Sequence, residues 1–278
     1  MSADIRVVYS DLDGTMLGPG GCFFRSPASG MTLEPASALV EMHHAGIALV
    51  LVSGRSHESL REAGDIFGAD GFIGEIGGII GHEGGHQIDV MRGAMPPEYE
   101  GTPVEAMRAG GVLELLQERW PGRLQLHDPW HVDHQVDLLL RGDVPVAEAD
   151  ALLADHGFGW LRLHDNGVMT PDGRFPGLDV DPIHFYHLLP DGISKAVAVE
   201  ADLQRRGLRA ANAIAIGDSL SDAAMAPHVQ RMFLVANGAA AYTPADNIEL
   251  TDGAMGLGWA AAIRYAVARA DQARAVTP

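Results

Sequence analysis

Short runs of apolar residues alternate with segments of helical periodicity in both terminal parts of the chain. The run IALVLV (47–52) is apolar throughout, which is typical of a strand covered on both faces. The pattern predicts strands at residues 5–9, 47–52, 213–216 and 233–236, an apolar glycine-rich segment at 72–80, and helices at 34–45, 55–67, 194–206 and 258–269. This alternation predicts an α/β fold with a doubly wound, mostly parallel, Rossmann-like sheet.

The middle of the chain has a different pattern. The segment HVDHQVDLLL (131–140) alternates between polar and apolar residues, as expected for a strand with one wet face. Helices are predicted at 104–120 and 145–156, and a further strand at 159–164. We therefore predict an α+β domain over residues 84–188, inserted into a core that consists of residues 1–83 and 189–278.

Polar side chains follow the predicted core strands at the points where the strands end. Ligands of open α/β sheets bind at the carboxyl ends of the strands, so these side chains are predicted to meet. Each short motif alone is explained equally well by a turn or a helix cap, but four separate segments on one edge favour a site. The candidates are Asp11 and Asp13, then Ser53, Gly54 and Arg55, then Lys195 at a helix start, and finally Asp218 and Asp222.

The residue types of this set fit together chemically. Clustered carboxylates require a hard cation, and Mg²⁺ takes carboxylate, carbonyl and water oxygens. A serine hydroxyl, a lysine ammonium group and the backbone N–H groups at a helix start can bind a phosphoryl group. With the cation in place, one carboxylate can attack phosphorus and a second can exchange a proton with the leaving oxygen.

Composition restricts the class of partner. The chain has 278 residues, with 37 acidic against 19 basic side chains and a net charge of −18. This balance argues against a nucleic-acid or anionic-membrane surface, and it requires any phosphate site to be built locally. The single cysteine, Cys22, suits a reducing compartment, and no window approaches the roughly 18 apolar residues of a membrane span. A cytoplasmic enzyme is expected.

Four motifs resemble those of the haloacid dehalogenase superfamily of phosphatases. They are DLDGTML (11–17), Ser53 in LVSGR, Lys195 in GISKAVAV, and GDSLSD (217–222), in the order and with the spacing typical of that superfamily. The insertion between the second and third motifs resembles the sugar-phosphatase-like (Cof-type) branch, which carries a large α/β cap there. The resemblance covers both halves of the predicted core and is weak for substrate.

The resemblance implies a role for each matched residue. Asp11 would be the nucleophile that forms an aspartyl-phosphate, and Asp13 the general acid and then the base that activates water. Asp11, the backbone carbonyl of Asp13 and Asp218 would bind Mg²⁺. Asp222 would orient either a metal-bound water or Lys195. Ser53, the Gly54 amide and Lys195 would bind the phosphoryl group.

Two positions depart from the motifs of the family. Ile76 stands in GEIGG where the family often has asparagine, and Ser221 stands in SLSD where it again often has asparagine. Isoleucine cannot form a hydrogen bond with a phosphate or a leaving group, and serine is shorter than asparagine. Ile76 indicates an altered substrate or weaker activity, and at Ser221 a hydrogen bond near the metal is expected to be lost or bridged by water.

The function that follows is a Mg²⁺-dependent phosphomonoester hydrolase acting on a small hydrophilic substrate, a sugar phosphate or a related sugar-acid phosphate. Two alternatives remain open. A sugar phosphomutase can share this core and cap, and a non-catalytic ligand-binding protein could use the same scaffold.

Substrate contacts are expected from the predicted cap. If residues 131–140 form a strand, one polar face carries His131, Asp133, Gln135 and Asp137. The strand would turn His131 and His134 apart, which argues against a zinc site at these histidines. The segments VMTPDG (168–173) and DVDPIHFYH, with His184 and His187, are equally good candidates.

Overall fold

A central sheet organises the computed structural model, which describes residues 4–27, 30–169 and 175–276. The strands are β1 (Val7–Asp11), β2 (Arg25–Ser26), β3 (Gly30–Met31), β4 (Ala48–Val52), β5 (Gly71–Gly74), β6 (Ile79–His82), β7 (Gln87–Val90), β8 (Leu124–Leu126), β9 (Leu138–Gly142), β10 (Leu161–Met169), β11 (Ile183–Pro190), β12 (Ala213–Gly217), β13 (Arg231–Leu234) and β14 (Ile248–Leu250). The helices are α1 (Glu34–His44), α2 (His57–Phe67), α3 (Pro103–Ala109), α4 (Val112–Arg119), α5 (Val146–Asp155), α6 (Lys195–Arg205), α7 (Leu220–Ala223) and α8 (Gly256–Val276).

The large sheet has the strand order β14-β13-β12-β1-β4-β5-β6-β7. From β14 to β5 all neighbours pair in parallel, whereas β6 and β7 pair antiparallel at one edge. The predicted doubly wound, mostly parallel α/β sheet is therefore confirmed.

The central strand β1 is buried on both faces, which explains its unbroken apolar run. Val8 packs in one apolar cluster with Ala38 of α1 and Trp259 of α8. Val7 and Tyr9 point the other way, into a cluster that includes Val199 of α6. Helices thus cover both faces of the sheet and leave the ends of its strands accessible.

A second, antiparallel sheet has the strand order β10-β11-β9-β8 and packs with α3, α4 and α5 around its own apolar cluster. It is formed by residues of the segment predicted as an inserted α+β cap. The boundaries at 84 and 188 stay predictions, although β7 within that segment pairs with β6 of the large sheet, and β11 continues to Pro190. Among the described residues, no helix is both long enough and apolar enough to cross a membrane.

Two expectations in this segment are wrong. The predicted strand over 131–140 begins only at Leu138, because residues 131–133 form a turn and Asp133 adopts a φ of +66°. The predicted helix over 104–120 is divided into α3 and α4 at Gly110 and Gly111. Gly111 has a φ of +68°, which a helix cannot contain and which glycine adopts without steric cost.

Candidate active site

Three adjacent strands bring the predicted residues to one edge of the large sheet. β1 lies between β4 and β12 and ends at Asp11, while Ser53 and Asp218 directly follow β4 and β12. All three residues line a cavity of about 770 Å³ together with Asp13 and Lys195. Its volume falls in the range of roughly 300–1,000 Å³ that is usual for small-molecule sites.

Lys195 connects two buried carboxylates in the floor of this cavity. Its Nζ donates to Asp11 Oδ1 at 3.0 Å and to Asp222 Oδ1 at 2.6 Å. The lysine is 4% exposed and Asp222 is fully buried, so water screens these interactions little. Burial alone would lower the pKa of Lys195, but the charges of Asp11 and Asp222 outweigh it and raise the pKa. The lysine is therefore a fixed cation.

The nucleophile candidate and its neighbour Asp218 carry charges that their surroundings disfavour. Burial raises the pKa of Asp11 to about 8, against the opposing effect of Lys195 and with a further increase from Asp222. Burial and the charge of Asp222 raise the pKa of Asp218 to about 6. Both carboxyl groups would be stabilised as anions by an additional cation beside them.

Asp222 supports the lysine and the following turn. Its Oδ2 accepts from the backbone N–H groups of Asp218 (3.2 Å) and Ser219 (3.0 Å) and from the Ser219 hydroxyl (2.6 Å). Since Oδ1 already binds Lys195, both carboxylate oxygens are engaged. Of the two roles left open for Asp222 by the sequence, this geometry favours the orientation of Lys195.

The acidic groups fit a hard divalent cation. Asp11, Asp218 and Asp222 each offer a carboxylate oxygen, and these oxygens lie within 4.8 Å of one another. Oxygen ligands of this kind, combined with the raised pKa values of Asp11 and Asp218, match the preference of Mg²⁺. Because Asp222 is already engaged, Asp11 and Asp218 are the side chains best placed to hold the ion.

Asp218 is positioned by Gly14 and Asn237. The Asn237 side-chain amide donates to Asp218 Oδ2 at 3.0 Å and to the Gly14 carbonyl at 2.8 Å. Gly14 has a φ of +85°, and a Cβ atom built on it would lie 2.3 Å from Asp218 Oδ2. Glycine therefore allows the loop after β1 to approach the carboxylate closely.

Asp13 forms an ion pair outside the buried group. Arg55 donates from Nε to Asp13 Oδ2 at 2.7 Å and from a terminal nitrogen to Oδ1 at 2.5 Å. The Asp13 side chain is 53% exposed, unlike that of Asp11. This bidentate pair holds the Asp13 side chain at the entrance of the cavity.

The remaining predicted residues line the same cavity. The Ser53 hydroxyl accepts from the backbone N–H of Arg55 at 3.3 Å, and the ring of His187 lies against Gly54. Ile76 also lines the cavity, with its Cδ1 close to Gly54, so an apolar group stands beside the predicted phosphate-binding amide. The Ser221 hydroxyl is directed to that of Ser219, 2.8 Å away.

A family model for haloacid dehalogenase-like hydrolases matches residues 181–250, which include Lys195, Asp218 and Asp222. The second half of the predicted site therefore lies in a segment that is similar to this family. The recognition made from the four motifs is thereby confirmed, as is the expectation of an enzyme. A search of curated proteins found no match.

Solved structures of low identity share the fold of this hydrolase over nearly its whole length. One, from Thermoplasma acidophilum, is 18% identical with a TM-score of 0.63, and the match covers 95% of this chain and 98% of that one. Sucrose-phosphatase from Synechocystis, solved with sucrose and phosphate, is 15% identical with a TM-score of 0.62, over 95% and 98%. A superfamily phosphatase from Bacteroides thetaiotaomicron is 16% identical with a TM-score of 0.64, over 95% of each chain.

The side of the cavity that faces the second sheet differs from the expectation. The alternating face of His131, Asp133, Gln135 and Asp137 does not form, because these residues precede β9 in a turn and an irregular segment. Asp137 is instead fully buried. The cavity is lined from this side by His127, Trp130, Val132, Asp133, His134, Phe185 and His187. Most of the candidate segment 168–173 lies outside the described residues.

Three residues near the site have no role in the function predicted from sequence. Arg55 follows the second core strand in the motif LVSGR, but the prediction gives it no part in the chemistry. Asn237 follows β13, so the rule that found Asp11 and Asp218 would also have found it. Glu75 is buried and binds backbone groups 60 residues away, a partner that no local pattern indicates.

Proposed function

We propose that this hydrolase is a Mg²⁺-dependent phosphatase that cleaves phosphomonoesters of a small hydrophilic molecule through an aspartyl-phosphate. The observation that carries the proposal is the group at the floor of the cavity, in which the buried pair of Asp11 and Lys195 lies beside the half-buried Asp218. An isolated carboxylate would repel an anionic phosphoryl group. The Asp11 carboxylate can approach one, because Lys195 and the proposed metal site beside it offset the negative charge.

The reaction would proceed in two displacements. A carboxylate oxygen of Asp11 forms a bond to phosphorus as the bond from phosphorus to the ester oxygen breaks, and the leaving oxygen takes a proton from Asp13. Ionised Asp13 then removes a proton from water, whose oxygen displaces Asp11 and yields orthophosphate. To reach the ester oxygen, Asp13 would leave its ion pair with Arg55.

The surrounding groups would neutralise and orient the phosphoryl group. Lys195 contributes its ammonium group, and Ser53 and Gly54 contribute a hydroxyl and a backbone N–H. Asp11, Asp218 and the backbone carbonyl of Asp13 would hold Mg²⁺, and Asp222 would keep Lys195 in place. When bound, Mg²⁺ supplies a positive charge that stabilises the negative charge on the phosphoryl oxygens during transfer.

A sugar phosphate or a related sugar-acid phosphate is the substrate class that the cavity supports best. Its volume of about 770 Å³ admits a molecule of that size. The exposed indole of Trp130 offers an apolar face, and Asp133, Asn166 and His134 offer hydrogen-bonding groups for hydroxyls. Sucrose-phosphatase, which shares the fold, was solved with a sugar and phosphate in its structure.

Phosphate release from a panel of sugar phosphates, sugar-acid phosphates and aryl phosphates, with and without Mg²⁺, tests the proposal. We expect turnover that depends on Mg²⁺. In Asp11→Asn it should fall by about three orders of magnitude or more with the melting temperature unchanged or raised, because the attacking charge is lost. Isomerisation without phosphate release would favour a phosphomutase. Binding of esters without turnover across the panel would favour a non-catalytic role.

A further inference from the structure

A group of four buried ionisable residues joins the two sheets above the phosphoryl site. Glu75 comes from the loop after β5, His134 and Asp137 from the segment before β9, and His187 from β11. Each of the four is at most 6% exposed. The phosphoryl transfer proposed above uses none of them, and ionisable groups buried next to a cavity require an explanation.

Asp137 binds the Nδ1 atom of each of the two histidines. Its Oδ1 binds Nδ1 of His134 and its Oδ2 binds Nδ1 of His187. A carboxylate accepts, so each Nδ1 carries a hydrogen and the other ring nitrogen, Nε2, is left for a further partner. His134 and His187 both line the cavity.

His187 reaches the phosphoryl-binding loop itself. A Cβ atom built on Gly54 would lie 2.8 Å from His187 Cε1 and 3.1 Å from His187 Nε2. The edge of the imidazole that bears Nε2 therefore lies against the residue whose backbone amide is proposed to bind the phosphoryl group. The ring comes from the second sheet, whereas Gly54 belongs to the core.

Glu75 fastens this arrangement to the core. Its carboxylate accepts from the backbone N–H groups of Gln135 (3.0 Å), Val136 (2.6 Å) and Asp137 (3.2 Å). Val136 packs into the apolar cluster of the large sheet. The turn that carries Asp137 is thus docked on the core by a buried carboxylate and by an apolar side chain.

The group is satisfied without a metal ion, although Glu75, His134 and Asp137 place ligand atoms close together. Both oxygens of Asp137 bind histidine Nδ1 atoms, and Glu75 Oε2 accepts three backbone N–H groups. The oxygen and Nδ1 atoms that a metal ion would need as ligands are already engaged in hydrogen bonds within the group. Only the Nε2 atoms of the two imidazoles are left for a further partner.

We propose that His187 is a substrate-contacting residue, whose Nε2–H donates to the phosphoryl oxygen beside the Gly54 amide, and that Asp137 and Glu75 are its positioning residues. This inference rests on the proposed phosphatase function and adds a donor from the second sheet to the core groups. In this arrangement the ring donates from Nδ1 to Asp137 and from Nε2 to the anion, so each ring nitrogen has an anionic partner. Phosphoryl binding would thereby require that the two sheets be docked.

Kinetics of His187 variants give the first test. His187→Phe keeps a ring but removes the donor, and kcat/KM should fall about 10- to 100-fold, as for a lost hydrogen bond to a charged group. His187→Gln, whose amide nitrogen can take the place of Nε2, should retain more activity than the phenylalanine variant. His184→Gln is the matched control, because His184 of the same strand contacts Asp165 at 2.8 Å.

Asp137→Asn tests the positioning role. The amide can serve at most one Nδ1–H as before, so we expect lower kcat/KM together with a changed pH profile, while added Mg²⁺ does not restore activity. Wild-type kcat/KM in His187→Phe, with the fold intact by circular dichroism, overturns the proposal.

Orthophosphate binding to the native protein gives a second test that needs neither turnover nor a folded variant. Histidine ring ¹⁵N resonances are recorded during titration with orthophosphate and Mg²⁺, with the His187 signal assigned from His187→Gln or, failing that, from its coupling to Asp137. We expect the His187 Nε2 signal to shift and the His184 signal to stay. A stationary His187 signal at saturation, or no binding at all, contradicts the proposal. If phosphate esters are not hydrolysed while His187 still responds to orthophosphate, the proposed reaction fails and the contact stands.

Discussion

At the scale of the residue, the site is an arrangement of buried charges that neutralise one another. Lys195 lies between Asp11 and Asp222, and Asp137 lies between two histidines. Burial of an unpaired charge is far more costly than burial of a pair. Truncation of one partner would leave a cavity and an unpaired neighbour, so near-isosteric substitutions are the sharpest probes of this site.

Asp13→Asn separates acid catalysis from the rest of the mechanism. The amide cannot protonate a leaving oxygen, so kcat for alkyl phosphates should fall about 10²- to 10⁴-fold. For aryl phosphates, whose aryl oxide leaves without a proton, kcat should fall less. Hydrolysis of an alkyl and an aryl ester by the same preparation provides the measurement and its internal control. Equal losses on both esters would remove Asp13 as the acid.

Gly14→Ala tests the close approach of the first loop to Asp218. The new Cβ would lie 2.3 Å from Asp218 Oδ2 at a φ of +85°, so the carboxylate must move. We expect a loss of stability of about 1 kcal/mol or more and a higher Mg²⁺ concentration for half-maximal activity. Gly157→Ala is the control, since Gly157 has a φ of +87° and nothing within 4 Å of its Cβ position. Equal Mg²⁺ requirements in the two variants would count against Asp218 as a ligand.

Site residues could be predicted from the sequence where they lie at the end of a buried strand. Asp11 and Asp218 each come directly after or at the end of a buried strand, and the edge of the sheet brings them together. The ion pair of Asp13 with Arg55 and the partners of Glu75 could not be predicted, because they depend on where a side chain turns after the chain has folded.

At the scale of the element, the start of α6 determines where Lys195 lies. Ser194 is the N-cap, and its hydroxyl accepts from the Val197 N–H at 3.2 Å, so the lysine occupies the first helical position. A loose cap would allow the first turn to fray and the ammonium group to move away from Asp11.

Ser194→Ala should therefore cost about 1 kcal/mol of stability and also lower kcat/KM by roughly 10-fold or more, since small displacements of catalytic groups are expensive. Thr102→Ala is the matched variant: Thr102 caps α3 in a reciprocal arrangement with Glu105, away from the catalytic floor. It should lose similar stability and keep its kinetics. Urea unfolding and steady-state rates of both variants provide the measurement. Unchanged kinetics in Ser194→Ala would show that the cap does not determine where Lys195 lies.

Strands could be predicted from the sequence where burial on both faces makes them apolar throughout. The core strands β1, β4 and β12 were found within two residues because each is apolar on both faces. The alternation over 131–137 was misleading. Its polar residues satisfy tertiary partners, since Asp137 binds two histidines and the Gln135 amide binds Glu75, rather than marking the wet face of a strand.

At the scale of the whole molecule, the contact between the two sheets depends on the ionisation of its buried residues. Burial alone would lower the pKa of His134, but the charges of Asp137 and Glu75 raise it to about 9. Burial and the charge of Asp137 raise the pKa of Glu75 to about 7. Groups with a raised pKa stabilise the folded state in their protonated form.

Thermal stability should therefore fall as the pH rises. The contribution of His134 is complete below its unfolded value near 6.5 and is lost as the pH passes about 9, and that of Glu75 is lost earlier, as the pH passes about 7. Melting temperatures between pH 6 and pH 9.5 measure this loss. His134→Gln, which cannot titrate, should give a flatter curve above pH 7, with His184→Gln following the wild type. A His134→Gln curve as steep as that of the native protein would show that the docking of the two sheets does not depend on this charge.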